Sequence, residues 1–538
     1  MLSYAKGPAA TLLETTIDET FRNTVRTHPE RLGVVVRHQG VRLSWREMDM
    51  EVERAARGLA GLGLSAGERI GVWSTNNIEW LLLQLAAARS GLVLVNVNPA
   101  YRSHELRYVL EKSGMRALFL RERDQRTNFR QILGEAIEGA DAALEHAVYF
   151  EHSSWYAMLA AGRDHGMPSI SNHDVANIQY TSGTTGSPKG VLLTHRNLVN
   201  NALLLSQGLR ITASDRLCSP VPLYHCFGCV IASLLCFLTG ATLILPAAGF
   251  DAGATLRAVA EERATAIYGV PTMFIAQLQH PDFEKFDLSS LRTGIMAGAP
   301  CPIEIMRRVI ADMHCPEMTI AYGQTESSPV ITMSHVDDDI ERRVGTVGCA
   351  LPETEVRIAD PATGDTVQIG QVGELCTRGY LLMKGYDKNP EATAAAIDPD
   401  GWLHTGDLAV MREDGYFGIR GRSKEMIIRG GENIYPREIE EFLYTHPAIS
   451  DVAVFGLPDE KLGEVVCAWV RLKEQTQATA NEIREFCRDR IAHYKIPQFV
   501  RVVESFPMTV TGKLQKFRMR EQEIEALGLE KAAQIRTA

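Results

Sequence analysis

The sequence lacks any run of basic residues that would offset its acidic balance. The 538 residues include 56 Lys and Arg against 66 Asp and Glu, a formal net charge of −10. Because polyanions and anionic lipids are held mainly by clustered cations, this balance excludes a general affinity for nucleic acid or for anionic membranes. Any anionic substrate must therefore be bound by a few local cations.

The sequence also lacks a secretory signal in residues 1–10 and the paired cysteine spacing of a metal site. Its ten cysteines lie between Cys218 and Cys487. A long chain of this kind is typical of a reducing compartment, so we expect thiols and a cytoplasmic location. Cys226 and Cys229 form C-x-x-C, but neither a second pair nor a suitably spaced histidine set follows. We expect buried thiols there rather than a metal or redox site.

Charged residues are absent from residues 217–250. This run is long enough to span a bilayer, but prolines and glycines interrupt it. The favoured interpretation is a buried helix over residues 228–238, a turn at Thr239 and Gly240, and a buried strand over residues 241–245. We therefore expect no transmembrane segment.

Residues 180–191, Y-T-S-G-T-T-G-S-P-K-G-V, combine flexible backbone, hydroxyl groups and one cation. Glycines let backbone N–H groups approach a ligand closely, while hydroxyls and an ammonium group can satisfy phosphate oxygens. The segment is not a Walker loop, because Pro188 replaces that motif's second glycine and no Ser or Thr follows the lysine. Short strands predicted over residues 175–180 and 191–194 make it a strand-to-strand connection, and an ordinary surface hairpin is the alternative. The expected phosphate ligands are Thr181, Ser182, Gly183, Thr184, Thr185, Gly186 and Lys189.

Two further segments carry groups suited to a nucleotide. Residues 297–300, A-G-A-P, follow a strand predicted over residues 293–296, and residues 321–327 read A-Y-G-Q-T-E-S. In the second segment an aromatic ring, a glycine, a hydroxyl and a carboxylate suit adenine stacking, close backbone approach, a phosphate contact and a Mg²⁺ ligand. A strand end with a polar turn is the alternative. The candidates are Tyr322, Gly323, Thr325 and Glu326, together with Gly298, Ala299 and Pro300.

Two isolated residues are weaker candidates. His225 stands near the start of the charge-free run, where a lone histidine is more often structural than functional. Asp407 ends G-W-L-H-T-G-D over residues 401–407, which has the character of a turn. Its carboxylate can accept two hydrogen bonds from vicinal hydroxyls such as those of ribose, and an Asx-turn is the structural alternative.

Helical and strand patterns alternate through the first part of the chain. A capping box at Ser44 and Glu47 opens a predicted helix that runs toward Leu59, and predicted strands cover residues 69–73, 93–97 and 117–120. Such alternation predicts an α/β fold, a large N-terminal lobe of mixed or parallel sheets covered by helices. After a linker at residues 421–425, strands over residues 451–457, 465–472 and 499–503 and helices over residues 480–492 and from Lys516 predict a small α+β unit. We therefore expect one domain over residues 1–423 and a second over residues 424–538.

Five motifs occur in a fixed order and span nearly the whole chain. They are the loop at residues 181–190, Y-G-Q-T-E at 322–326, H-T-G-D at 404–407, G-R-x-K-E at 421–425 and P-M-T-V-T-G-K at 507–513. The set resembles the adenylate-forming, or AMP-binding, superfamily of acyl-CoA synthetases, peptide-synthetase adenylation domains and luciferases. G-G-E-N-I-Y-P at residues 430–436 resembles the branch of medium- and long-chain fatty acyl-CoA synthetases.

The resemblance implies a two-step ligase that uses ATP, Mg²⁺ and coenzyme A. A carboxylate and ATP give an acyl-adenylate and pyrophosphate, and the CoA thiol then displaces AMP. For the nucleotide, the resemblance implies Glu326 as the Mg²⁺ ligand, Tyr322 against adenine, and Asp407 with Arg422 on ribose. Lys513 is the implied lysine between carboxylate and phosphate, and Lys424 the hinge of a mobile C-terminal domain. Gly430 and Gly431 are implied on the CoA side, and His225 at the gate to the acyl tunnel. Aryl-CoA ligases often have I-K-x-x-G where this chain has I-I-R-G-G over residues 427–431, so Ile428 cannot serve as that second cation. The resemblance also implies Arg429 toward CoA and Asn433 near the α-phosphate.

Amino-acid-adenylating relatives hold the substrate's ammonium with an aspartate after the histidine region. Residues 226–238 here offer only apolar and small side chains, so a plain acyl chain is favoured. Only a short segment follows Lys513, so we expect no carrier domain, and the C-terminal R-T-A is not a peroxisomal address. Aryl or short-chain substrates and luciferase-like oxidation stay open, as does a homodimer, while a binding protein without catalysis is disfavoured by Lys189, Glu326 and Lys513.

Overall fold

The computed structural model describes residues 1–124, 127–164, 166, 168–181, 188–299, 301–422, 425–429, 432–459, 462–488, 490–491, 493–509 and 514–529. For Arg422, Glu432 and Asn433 it describes the backbone only. Within these residues the strands form four sheets, here called sheets A to D.

Sheets A and B are the mostly parallel sheets that the alternating pattern predicts. In spatial order, sheet A contains Cys349–Ala350, Val330–Met333, Glu317–Gly323, Thr293–Ala297, Ala266–Gly269, Arg216–Cys218, Thr242–Leu245, Leu32–Val36 and Val41–Ser44. Sheet B contains Gly385–Tyr386, Lys189–Thr194, Val175–Thr181, Val93–Val97, Arg69–Trp73, Ala117–Leu120 and His146–Tyr149. Their inner strands are mostly apolar because both faces are buried, as at Val93–Val97, where only Asn96 is polar.

Sheets C and D are smaller. Sheet C is antiparallel and contains Tyr4–Lys6, Thr354–Ala359, Gly373–Gly379, Leu403–Met411 and Phe417–Arg422. Sheet D contains Glu432–Ile434, Ile427–Arg429, Gly463–Leu472, Ile449–Asp459 and Phe499–Val502, and its strands bury apolar cores of their own with the helices of the same segment. The α/β class, with a large first lobe and a small α+β unit after it, is confirmed. The boundary between residues 423 and 424 stays a prediction.

Helices cover the sheets, and several of them begin at a side-chain cap. The Trp45–Gly61 helix starts with the predicted capping box, in which Glu47 N donates to Ser44 Oγ (3.3 Å) and Ser44 N donates to Glu47 Oε2 (2.8 Å). The α-helices are Ile17–Thr27, Trp45–Gly61, Ile78–Ser90, Ser103–Ser113, Phe129–Ile137, Ser153–Ala160, His195–Gly208, Leu235–Thr239, Ala252–Glu262, Pro271–Leu278, Ile303–Asp312, Ile340–Gly345, Pro390–Ala396, Pro436–Leu443, Ala480–Cys487 and Lys516–Leu527.

The charge-free run folds as a buried helix followed by a buried strand, as predicted. Its first turns, Phe227–Leu234, are a π-helix that continues into Leu235–Thr239, and Gly240 ends it in the left-handed conformation (φ 78°). Gln84 Nε2 and Ser233 Oγ both donate to the Cys229 carbonyl, at 2.7 and 2.6 Å. These side-chain bonds compete with the regular backbone ladder and account for the wider turn. No helix in the described part of the chain is long and apolar enough to cross a membrane.

Two local predictions were wrong. The helix predicted to reach residue 492 ends at Cys487, because Arg488 adopts an extended conformation (φ −63°, ψ 136°). The H-T-G-D segment belongs to the strand Leu403–Met411 and not to a turn. Its register shifts against Gly373–Gly379, so that Leu375 alone faces Thr405, Gly406 and Asp407. The segment is therefore a bulge within a strand.

All ten cysteines are thiols, and nine of them are buried. Cys226 and Cys229 both lie in the core beside the π-helix, as expected for structural thiols. Burial raises the pKa of Cys229 above its ordinary value, which keeps that thiol protonated. The cytoplasmic location stays a prediction.

Candidate active site

Glu326 and Lys189 meet at the side chain of Tyr386. The Tyr386 phenol donates a hydrogen bond to Glu326 Oε1 (2.8 Å), and Lys189 Nζ lies 4.9 Å from the centroid of the same ring. Burial first, and then the Glu326 carboxylate, raise the pKa of the Tyr386 hydroxyl, so the phenol remains a donor. A predicted metal ligand and a predicted phosphate ligand thus contact one residue that the sequence did not single out.

A buried ion pair fixes the segment that carries Tyr386. Arg69 Nη1 and Nη2 contact the two carboxylate oxygens of Asp387 at 2.8 Å each, and the Asp387 side chain is only 3% exposed. Asp387 N donates to the Gly190 carbonyl (2.7 Å), and Tyr386 lies opposite Val191 in the sheet. This bidentate pair therefore locks the residues next to Lys189 onto sheet B.

Tyr322 and Asp407 form a second contact within the site. The Tyr322 phenol donates to Asp407 Oδ2 (2.7 Å), and the Asp407 carboxylate is nearly buried. Asp407 follows Gly406, whose left-handed backbone (φ 73°) lies within the bulge. Arg422 lies directly opposite Asp407 in the antiparallel pairing of sheet C. The predicted adenine and ribose residues thus converge at one point.

Residues 225–227, H-C-F, lie against residues 322–326, Y-G-Q-T-E. Cys226 Sγ lies 3.9 Å from Thr325 Oγ1, the residue before Glu326, and 3.6 Å from His225 Nδ1. His225 Nδ1 also accepts a hydrogen bond from Phe227 N (3.2 Å), which orients the imidazole at the start of the π-helix. The start of the charge-free helix therefore contacts the residue that precedes the predicted metal ligand.

Residues 297–299, A-G-A, begin at the last residue of the strand Thr293–Ala297. Ala297 pairs with Ala321, which precedes Tyr322. Gly298 has a left-handed backbone (φ 87°), a conformation that favours glycine, and Ala299 follows it. A Cβ on Gly323 would lie 2.0 Å from the Pro329 carbonyl oxygen, so that position has room only for glycine. The predicted close approach of Gly323 to a nucleotide stays a prediction.

The loop at residues 180–191 joins two strands, as predicted, and the structure shows that these strands pair antiparallel. Thr181 lies opposite Lys189, and its Oγ1 donates to the Lys189 carbonyl at 3.5 Å.

Arg429 ends its strand opposite Glu432 in sheet D. The remaining candidates fall outside the described residues, so their roles stay predictions; they are Ser182, Gly183, Thr184, Thr185, Gly186, Pro300, Lys424, Gly430, Gly431 and Lys513, and the side chain of Arg422.

These segments share one position in the architecture. Thr181, Gly298 and Tyr322 lie at the carboxyl ends of Val175–Thr181, Thr293–Ala297 and Glu317–Gly323. The carboxyl edge of parallel strands is where open α/β sheets bind nucleotides. With a carboxylate, an ammonium group and a buried aspartate at that edge, the fold and the site define an adenylate-forming enzyme.

Comparison with known proteins identifies the family. Models of the AMP-binding enzyme and of its C-terminal domain match residues 21–387 and 438–513. The chain is 46% identical to YngI of Bacillus subtilis (strain 168), whose name gives acyl-CoA synthetase as a provisional assignment, over 97% of this chain and 99% of that protein. It is 41% identical to the bovine mitochondrial medium-chain acyl-CoA ligase ACSF2, over 98% of this chain and 91% of that protein. The chain therefore belongs to the AMP-binding enzyme family, as an AMP-forming CoA ligase.

Among solved structures, MatB of Rhodopseudomonas palustris is similar at 30% identity, over 94% of this chain and 99% of MatB. Its ATP-bound form has a TM-score of 0.85. The apo form of the same protein, with the same coverage, has a TM-score of 0.76. The present structure is thus more similar in overall arrangement to the ATP-bound form.

Proposed function

We propose that this enzyme activates a fatty acid with ATP and Mg²⁺ and transfers the acyl group to coenzyme A. The observation that carries the proposal is the buried, charge-free helix Phe227–Leu234, whose first turn contacts Thr325 through Cys226. The side chains of that helix, which would face the acyl chain of a carboxylate held near Thr325 and Glu326, are all apolar or small. The name of ACSF2, a medium-chain acyl-CoA ligase, supports this substrate class, and the name of YngI supports acyl transfer to coenzyme A.

The residues of the site fit Mg²⁺. Mg²⁺ is usually held by one or two carboxylates together with substrate phosphates, and Glu326 offers a half-buried carboxylate beside the loop predicted to bind phosphate. Mg²⁺ would be held by Glu326 and would neutralise phosphate charge. Lys189 sits across Tyr386 from that carboxylate and would contact the phosphate oxygens.

Charge neutralisation is the main task of the first step. A carboxylate that attacks an anionic α-phosphate is repelled by about 4 kcal/mol at 4 Å and an effective dielectric of 20. We assign Lys189 and Lys513 to offset this repulsion and to stabilise charge in the transition state. Tyr322 would hold adenine, and Asp407 with Arg422 would hold ribose.

An amino acid is the alternative substrate that the helix disfavours most clearly. An α-ammonium placed beside Cys226 and the π-helix would find no carboxylate among the described residues 226–238. Burying such a charge without a partner costs several kcal/mol. Aryl acids and short acids remain as outcomes of the experiment below.

A panel of carboxylic acids tests the proposal directly. Each buried methylene contributes about 0.8 kcal/mol, so kcat/KM is expected to rise about fourfold per added CH2 until the tunnel is filled. The measurement is AMP and thioester formed per acid, from acetate through the saturated aliphatic acids, with benzoate and several amino acids included. Highest kcat/KM for acetate, benzoate or an amino acid would contradict the proposed substrate class.

The second step needs a different set of groups at the same place. We propose that the C-terminal domain rotates about Lys424, which withdraws Lys513 and brings Gly430 and Gly431 to the CoA side. The higher similarity to ATP-bound MatB supports the view that the present arrangement is that of adenylation.

Substitution Lys424→Pro tests this rotation. Because proline fixes φ near −65°, we expect thioester formation to fall at least about tenfold while pyrophosphate exchange stays within about twofold. Lys424→Ala is the matched control, since it removes the same side chain but leaves the backbone free. Unchanged CoA-dependent turnover in the proline variant would exclude Lys424 as the hinge.

A further inference from the structure

A cysteine, a histidine and a glutamate meet on one face of sheet C, near the H-T-G-D bulge. Cys376 lies directly opposite His404 in the antiparallel pairing, and Glu374 lies two residues before Cys376 on the same strand. In the part of the chain that the structure describes, this is the one group of three or more such side chains whose ligand atoms all lie within 4.8 Å of one another. It is separate from the carboxylate of Glu326.

The distances suit tetrahedral coordination. His404 Nδ1 lies 3.5 Å from Cys376 Sγ and 2.8 Å from Glu374 Oε2. A metal bound at about 2.3 Å to sulfur and about 2.0 Å to nitrogen places those two atoms about 3.6 Å apart. The nitrogen and sulfur therefore stand at the required separation, and the carboxylate oxygen needs to move by only about half an ångström.

Neighbouring groups hydrogen-bond or face His404 and Glu374 in the way that such groups usually orient metal ligands. His404 Nε2 lies 3.5 Å from Asp398 Oδ2, a carboxylate placed to accept the proton on the second ring nitrogen. Gly406 N donates to Glu374 Oε1 (2.8 Å), which fixes the carboxylate and leaves Oε2 toward His404. Cys376 is fully buried, whereas the His404 and Glu374 side chains are 29% and 16% exposed, so an ion can enter from solvent.

We propose that Glu374, Cys376 and His404 form a binding site for a thiophilic divalent metal, with Zn²⁺ as the expected ion. Thiolate and imidazole ligands favour Zn²⁺ or Co²⁺ and disfavour Mg²⁺, so this site does not compete for the nucleotide's metal. On binding, the thiol proton leaves to solvent and the imidazole proton moves from Nδ1 to Nε2, where it faces Asp398. Water completes the fourth position.

The site would act on the nucleotide through the bulge. His404 precedes the bulge, Asp407 is its last residue, and Glu374 holds Gly406 between them. A metal that draws Glu374 Oε2 away from its present position changes the support of Gly406, and with it the carboxylate of Asp407. This consequence rests on the proposed function, whereas metal binding itself does not.

Cobalt titration of the reduced, full-length protein without nucleotide tests the proposal. We expect one Co²⁺ per chain with a thiolate-to-cobalt charge-transfer absorption, which Zn²⁺ abolishes by displacement. Cys376→Ser should remove this absorption and weaken Zn²⁺ binding by about 10- to 100-fold or more, measured against a chromophoric chelator. Cys349→Ser is the matched control and should change neither, although Cys349 Sγ also lies near a histidine, 3.2 Å from His335 Nε2.

Glu374→Gln provides a second variant, because it keeps the hydrogen-bond acceptor for Gly406 and loses only the charge. It should retain the charge-transfer absorption and bind Zn²⁺ about tenfold more weakly. Absence of the absorption in the unaltered protein would overturn the proposal. So would an absorption that survives Cys376→Ser and disappears in Cys349→Ser.

Discussion

Substitution Lys513→Ala is expected to slow adenylation by about 10²- to 10³-fold while preserving the conversion of supplied acyl-adenylate to thioester within about twofold. The reason is the division of labour between the two steps. The first step brings two anions together, whereas the second brings a thiol to a mixed anhydride whose negative charge has already been reduced. A cation that offsets the repulsion between carboxylate and phosphate is therefore needed in the first step and not in the second.

Two measurements separate these steps for Lys513→Ala. Isotopic exchange of pyrophosphate into ATP reports the first, and a single turnover from synthetic acyl-adenylate with CoA reports the second. Lys473→Ala is the matched control, since Lys473 is an exposed lysine of the same domain and should alter neither rate. Equal losses in both steps would remove Lys513 from its assigned role and indicate a fold defect or a shared function.

Local signals in the sequence were enough to predict many of the elements. The capping box at Ser44 placed the start of the Trp45–Gly61 helix, and two short predicted strands made the loop at residues 180–191 a strand-to-strand connection. Each of these features depends on residues within a few positions of one another, where capping and turn chemistry act directly. The fold class followed because strands and helices alternate in the same local way.

Contacts between distant residues were not predictable. Arg69 and Asp387 are 318 positions apart, and no sequence pattern near either residue predicts their contact. Tyr386 stands in a G-Y-D sequence with no recognisable motif, and its bond to Glu326 depends on the ion pair and strand pairing that hold its segment beside Lys189. The bulge at Thr405 to Asp407 also escaped prediction, because its glycine favours a turn until strand pairing on both sides is known.

Five motifs in order identified the superfamily before any contact was known, but they could not assign every role. The structure joins Tyr322 with Asp407 and brings Glu326 to Lys189 through Tyr386, so those groups can act together. Lys424, Gly430 and Lys513 lie outside the described residues. Their roles depend on the resemblance and on the experiments proposed for them.

Substitution Glu326→Gln is expected to reduce pyrophosphate exchange by about 10²- to 10³-fold, because a neutral amide is a poor ligand for Mg²⁺ and leaves phosphate charge uncompensated. Part of the loss should be recovered at higher Mg²⁺ concentration, since the phosphates themselves still bind the ion. The measurement is the exchange rate as a function of Mg²⁺ at fixed ATP. A variant that retains normal exchange and normal Mg²⁺ dependence would exclude Glu326 as the metal ligand.

Tyr386→Phe separates the metal ligand from the residue that positions it. Phenylalanine keeps the ring beside Lys189 Nζ and removes only the hydroxyl that donates to Glu326 Oε1. We expect a loss of about tenfold, the size of one hydrogen bond to a charged group, together with a shift of the Mg²⁺ dependence. Tyr156→Phe is the control, since that ring is 61% exposed on the surface. A loss that did not change with Mg²⁺ would mean that Tyr386 supports the fold beside Lys189 and does not orient the carboxylate.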